Sequence, residues 1–178
     1  MRYYKVDQEY VEDLKFANPY STLFDLKSYI RPGMEIKAYN PHQKQMLLPI
    51  RERAGKNYVQ IQPQFRVIIS TGILFSIPVK YQLRVTSNKE LSLSTGVTLL
   101  DGTAVYDNDF TDELKLTLIN NSDTPVYLFE DEVIAQATLA KVLEYSLDIT
   151  DRKVAVKTVK STSIKDGSEE TVEDDDEE

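Results

Sequence analysis

The chain has 178 residues, 41% of them hydrophobic, no cysteine, and a formal net charge of −8. That length suits one domain with a sizeable core rather than two, and the missing cysteines exclude disulfides, thiolate metal sites and a cysteine nucleophile. The charge is unevenly placed, because residues 161–178 hold nine acids against Lys165 alone while residues 1–160 carry twenty acids and twenty bases. A balanced body with no basic stripe in its sequence predicts no nucleic-acid binding. No apolar run approaches the roughly 18 residues of a membrane span, and the opening MRYYKVDQEY lacks the apolar core of a secretory signal. A cytoplasmic protein with no membrane association is expected.

Five of the eleven tyrosines, Tyr3, Tyr4, Tyr10, Tyr20 and Tyr29, fall in the first thirty residues. An apolar ring with a polar tip suits a partner or subunit interface, and it equally suits a segment packed on its own domain. Gln8 to Phe16 is the one stretch with a helical pattern, with Asp7 placed as an N-cap and Tyr10, Val11 and Leu14 on one side. The single histidine, His42, follows Asn40-Pro41 in a turn-like stretch and is given no role. From there the chain reads as strands. Phe65, Val67 and Ile69 alternate with Arg66, Ile68 and Ser70, and Leu114, Leu116 and Leu118 with Glu113, Lys115 and Thr117, the period-2 pattern of half-buried strands. Turn signals at Pro32-Gly33, Ala54-Gly55-Lys56-Asn57, Pro78, Asp101-Gly102 and Asn120-Asn121-Ser122-Asp123 divide the runs. Many short strands at such spacing predict an all-β barrel or sandwich. The final segment, STSIKDGSEETVEDDDEE, is nearly free of apolar side chains and is expected to be a disordered acidic tail, residues 161–178, attached to a β domain of residues 1–160.

Four stretches carry a family pattern. Leu23-Phe24-Asp25-Leu26 is similar to the end of an early A-G-Y-D-L-like segment, and Ile68 to Pro78 (IISTGILFSIP) to a strand-turn-strand ending in T-G-x-x-x-x-I-P. Gly96 to Asp112, containing Val105-Tyr106-Asp107-Asn108-Asp109-Phe110, resembles a substrate hairpin. Asp131-Glu132-Val133-Ile134-Ala135-Gln136, preceded by Asn120-Asn121-Ser122, resembles G-x-x-I-A-Q. Together they resemble the trimeric dUTPase family, over roughly half the chain. The resemblance implies a dUTPase-like β-barrel or jelly roll with an N-terminal extension, a homotrimer, and sites built between subunits. It places Asp107 where the family keeps the carboxylate that activates water, Phe110 where a tyrosine packs on deoxyribose, Gln136 near the phosphates, and Asp101 at the hairpin position whose neighbours read uracil through the main chain. For Asp107 the alternative is plain turn chemistry, since Asp-Asn-Asp side chains often bond their own backbone.

The departures cluster at the phosphates. Ser87-Asn88-Lys89-Glu90 stands where the family has proline-arginine-serine-glycine, so an uncharged asparagine replaces the bidentate guanidinium, leaving Lys89 as a partial substitute beside a repelling Glu90. The glycine- and arginine-containing arm that closes over the triphosphate is replaced by acids. These losses predict a non-catalytic or weakly active protein, a structural, decoration or binding module of viral or phage character, cytoplasmic or carried in a virion, with the tail and the tyrosine-rich segment facing a protein partner. Arg66 or Arg84 converging on the Asp107 pocket would count against that reading. The alternative is a dUTP pyrophosphatase that needs Mg²⁺. No resident metal or cofactor is expected: Asp107, Asp109, Asp112 and Glu113 form an acidic cluster that would hold Mg²⁺ weakly without a phosphate to complete its shell.

Overall fold

In a computed structural model, which describes residues 1–143, the alternating runs become thirteen strands and one short helix. Strand β1 (Arg2–Lys5) is followed by β2 (Phe24–Lys27), β3 (Ile36–Tyr39), β4 (Gln45–Leu48), β5 (Arg51–Arg53), β6 (Lys56–Ile61), β7 (Arg66–Ser76) and β8 (Tyr81–Ser87). Helix α1 (Lys89–Thr95) precedes β9 (Val97–Leu99), β10 (Thr103–Tyr106), β11 (Glu113–Asn120), β12 (Val126–Phe129) and β13 (Val133–Lys141). The acidic segment 161–178 and the boundary expected at residue 160 lie outside the described residues. No described helix is long and apolar enough to cross a membrane.

The strands form three antiparallel sheets. The largest runs β4-β3-β7-β11-β9, with β1 also on β7; a second runs β10-β8-β13-β2; a third runs β12-β6-β5. Period 2 decides which side chains enter the core. In β11, Leu114, Leu116 and Leu118 are buried with Asn120 following in the same phase; Val67 and Ile69 of the neighbouring strand β7 share the core with them, and Leu83 and Val85 of β8 and Val59 and Ile61 of β6 join it from the other two sheets. Asn120 is tolerated there because its amide donates to Ile61 O (3.0 Å) and Thr124 O (2.8 Å) while its Oδ1 accepts from Ser122.

The helix expected over Gln8–Phe16 does not form. Asp7 does cap, its Oδ1 accepting from the Glu9 and Tyr10 amides, but only a single turn follows. Two competitors then take the chain. Arg31 draws the Tyr10 carbonyl (3.3 Å), and residues 15–17 bond along the outer edge of β2 through Asp25 N to Lys15 O and Ala17 N to Leu23 O. The helix lies instead at Lys89–Thr95, where Asn88 caps the start and Gly96, at φ 77°, ends it in the left-handed conformation. Of the amino-terminal tyrosines, Tyr29 bonds Asp7 (3.1 Å), Tyr3 bonds Asp13 (3.5 Å) and Tyr10 lies under the Arg31 guanidinium, whereas Tyr4 and Tyr20 are exposed.

The T-G of β7 is scaffold. Thr71 Oγ1 donates to Leu114 O (2.7 Å), and Gly72 sits at φ 70° with Val11 and Tyr29 where a side chain would go. The Gly72 amide donates to Glu113 Oε1, which also accepts from Ser70 Oγ.

Candidate functional site

Sheet pairing assembles one half of the site. Gln136 of β13 stands opposite Asp25 of β2 on one side and Thr86 of β8 on the other. Its Nε2 donates to Asp25 Oδ1 at 2.9 Å. Directly after β8 the chain turns into α1, and the capping of Leu91 N by Asn88 Oδ1 (2.8 Å) fixes how Lys89 and Glu90 enter. The result is a cleft of about 650 Å³ lined by Asn88, Lys89, Glu90, Asp25, Glu132 and Gln136, with Ala17 and Asn18 completing a wall. Lys89 and Gln136 thus line one cleft, with Asp25 beside them.

The electrostatics of this cleft match what the sequence suggested. Its lining holds one cation, Lys89, against Asp25, Glu90 and Glu132. Glu132 is partly occupied, since its Oε2 accepts from Phe129 N (3.0 Å). Arg84 does not line the cleft; Gln82 Oε1 accepts from its Nε (2.6 Å) and Nη2 (2.8 Å). Arg66 lies on another sheet and donates to Asn40 O (3.0 Å).

Where the family motif has glycine, Asp131 adopts φ 60°. Aspartate is one of the few residues that visits this region readily. The turn is held by Ser28, whose hydroxyl donates to Phe129 O (2.5 Å) and accepts from Glu132 N (3.2 Å). The motif therefore keeps its backbone shape without its glycine.

The other half lies on the hairpin around β10. Asp101 lies inside the turn that Gly102 N closes onto Leu99 O, and Asp107 opens the next one, its main-chain carbonyl accepting from Phe110 N (3.1 Å). The exposed Asp107 carboxylate has no hydrogen bond or ion pair among the described residues. Side-chain turn bonding, the alternative weighed for it, is not what holds this loop. Phe110 is half-buried and packs on Tyr106, ring centroids 4.7 Å apart at 56°. Burial pushes the Tyr106 hydroxyl above its ordinary pKa, and the Asp101 charge adds to this.

The two halves are separate within one chain. Tyr106 pairs with Leu83 of β8, and Gln136 with Thr86 one strand further on. At about 3.3 Å per residue and 4.8 Å per strand, Asp107 and Gln136 lie roughly 16 Å apart. Asp101, Asp107 and Phe110 do not line the Gln136 cleft.

The acidic cluster does not become a metal site. Glu113 is turned to Ser70, Gly72 and Lys115, and the described residues contain no group of three or more carboxylates or histidines that could hold an ion. Sequence reading also missed Asn18 and Glu132 as wall residues; the only signal for Asn18 was its turn-forming position before Pro19.

Comparison with known proteins identifies the family and the fold. The dUTPase family model matches residues 54–166. The deoxyuridine 5'-triphosphate nucleotidohydrolase of Hydrogenobaculum sp. is 35% identical over 109 residues, covering 61% of this chain and 72% of that protein. That of Finegoldia magna is 29% identical over 126 residues, 67% of this chain and 78% of the relative. Among solved structures, the dUTPase of Staphylococcus bacteriophage 80alpha superposes with a TM-score of 0.63 at 14% identity, covering 86% of this chain and 97% of that one. The dUTPase from Streptococcus mutans gives 0.58 at 14% identity, over 81% and 98%. With the family model covering more than half its length, the chain belongs to the dUTPase family.

Proposed function

We propose that this protein hydrolyses dUTP to dUMP and pyrophosphate, in sites shared between the subunits of a homotrimer. The observation that carries the reading is the exposed, unengaged Asp107 carboxylate on a hairpin that also holds Phe110. Asp107 accepts a proton from water; the water oxygen bonds the α-phosphorus, the bond to the bridging oxygen of the β-phosphoryl breaks, and pyrophosphate leaves. Phe110 packs on the sugar and excludes a 2'-hydroxyl, while the hairpin main chain beside Asp101 reads the uracil edge. Gln136 and Lys89 of another copy contact the phosphates. Mg²⁺ would come with the nucleotide, since no group of three or more carboxylates or histidines gathers among the described residues, and it would neutralise charge on the leaving pyrophosphate. The roughly 16 Å between Asp107 and Gln136 is far beyond the ~3–3.5 Å of a near-attack geometry, which supports assembly from more than one chain. On this reading the protein works in the cytoplasm on the nucleotide pool.

The test is pyrophosphate release from purified protein with Mg²⁺ and each deoxynucleoside triphosphate. Turnover selective for dUTP, reduced at least ~100-fold by Asp107→Asn, is the expected result. Equal rates for both proteins would remove Asp107 from the chemistry, and no turnover in either would remove the activity. Light scattering measures the trimer separately.

The charge of the Gln136 cleft favours a second reading, a non-catalytic binding module of viral or other origin. One lysine faces three acids there, and Asn88 is spent as a cap where a phosphate-binding arginine would stand. Calorimetry with dUTP separates the two: no turnover together with no heat of binding belongs to a vacated site.

A further inference from the structure

The third sheet presents an outer face that no part of the proposed reaction uses. Val59, Ile61, Val126 and Leu128 fill its inner side, so the alternate positions point outward. Cross-strand pairing aligns these into rows: Arg53 with Lys56, Arg51 with Tyr58 and Phe129, and Gln60 with Tyr127. Rows on one face repeat about every 6.7 Å and strands about every 4.8 Å. Three cations and three aromatic rings thus share one open surface. Tyr58 contacts Tyr127 at 5.6 Å (70°) and Phe129 at 5.4 Å (44°), and Tyr127 is 44% exposed.

Among the described residues of these three strands, no carboxylate belongs to this face. Glu52 pairs with Asn57 in the opposite phase. The acids bordering Arg53, Lys56 and Phe129 in a shallow depression are Glu130, Asp131 and Glu132, and two of them are turned elsewhere. Glu130 is held by Arg31 and by Asn57 Nδ2 (2.8 Å), and Glu132 by Phe129 N. Arg51, Arg53 and Lys56 have no ion-pair partner among the described residues. The sequence hid this patch because its balance of charges says nothing about which side of a hairpin the bases take.

The geometry points to single-stranded nucleic acid as the ligand of this face. A block of cations beside a cluster of aromatic rings on one unwalled surface is the chemistry that contacts a phosphodiester backbone and stacks bases. A free nucleotide finds no enclosing wall here, and an acidic peptide has no use for the rings. This inference does not rest on the hydrolase reading.

Fluorescence anisotropy of the full-length protein with fluorescein-labelled (dT)20 at 50 mM salt tests it. Three neutralised phosphates give a log–log salt slope of about −2, so affinity is expected to fall about twentyfold on going to 200 mM. The Arg51→Ala/Arg53→Ala/Lys56→Ala protein should lose binding, and Tyr127→Ala, at an exposed site, should weaken it about tenfold, with thermal stability and nucleotide hydrolysis unchanged in both. Absence of binding at 50 mM salt overturns the proposal. So does binding indifferent to Tyr127→Ala and matched by heparin or polyglutamate, which would make the face a general polyanion surface.

Discussion

Gln136 Nε2 donates to Asp25 Oδ1 at 2.9 Å across the β13–β2 pairing, joining residues 111 positions apart in the chain. This bond ties the early family segment to the late one, and it holds the Gln136 amide at the lip of the cleft. Asp25 is accordingly a positioning residue for the phosphate side. Asp25→Ala is expected to raise KM for dUTP about tenfold, the equivalent of one charge-assisted hydrogen bond, with a smaller change in kcat. Steady-state kinetics at a common pH would show it, and an unchanged KM would mean that Gln136 needs no such partner.

Asn88 has a structural role at the start of α1. Its Oδ1 satisfies the Leu91 amide, and its carbonyl accepts from Ser92 Oγ (2.7 Å). Asn88→Ala should cost about 1 kcal/mol in urea unfolding, as for other N-caps, with any weakening of dUTP binding accompanying that loss, because the cap fixes how Lys89 enters the cleft. Weaker nucleotide binding with no loss of stability would assign Asn88 to the ligand instead.

A third expectation concerns Asp131. Its φ of 60° suits glycine best and aspartate next. Asp131→Gly is expected to leave stability within about 1 kcal/mol of the parent, whereas Asp131→Val, β-branched and without a polar group, should lose about 2 kcal/mol. Denaturant midpoints of the two proteins decide the matter, and equal losses would show that the carboxylate, rather than the backbone, is what the turn requires.

The amino-terminal segment should be the part of the fold most sensitive to acid. Hydrogen bonding from the Tyr10 amide, outweighing some desolvation, holds the Asp7 carboxyl below its ordinary range, and the hydrogen bond and charge of Lys27 do the same for Glu12. Groups depressed in the folded state bind protons more readily when released, so their stabilising effect is complete above the ordinary carboxylate pKa and disappears as pH falls below about 4. Amide hydrogen exchange over residues 2–16 should accelerate there before exchange in β7 and β11 does, and Asp7→Asn should remove part of that pH dependence. Simultaneous loss of protection everywhere would place the acid-sensitive groups in the core.

The strand pattern was legible because alternation in β7 and β11 is a local property of the sequence. The dUTPase-like motifs were legible because their spacing survives where their chemistry changed. The helix was misplaced for a physical reason: Asp7 offers a cap that Arg31 and the edge of β2 then outcompete, while the real helix is marked only by Asn88 and Gly96 at its two ends. Gly72 could be recognised as part of a motif, but that Val11 and Tyr29 crowd it could not, since both come from segments more than forty residues earlier in the chain. For Asp107 the sequence left two readings open, the family's water-activating carboxylate and plain turn chemistry. Only the coordinates show its main chain closing the turn and its side chain left over. The basic face of the third sheet depends on cross-strand register, which one-dimensional charge counting does not contain.

The distance between Asp107 and Gln136 has a consequence for how such a protein would behave in a test tube. With water activation and phosphate contact on different copies, output per polypeptide becomes a collective property that drops on dilution and recovers on concentration. Two crippled versions, one lacking the carboxylate and one lacking the amide, would then restore each other when co-assembled.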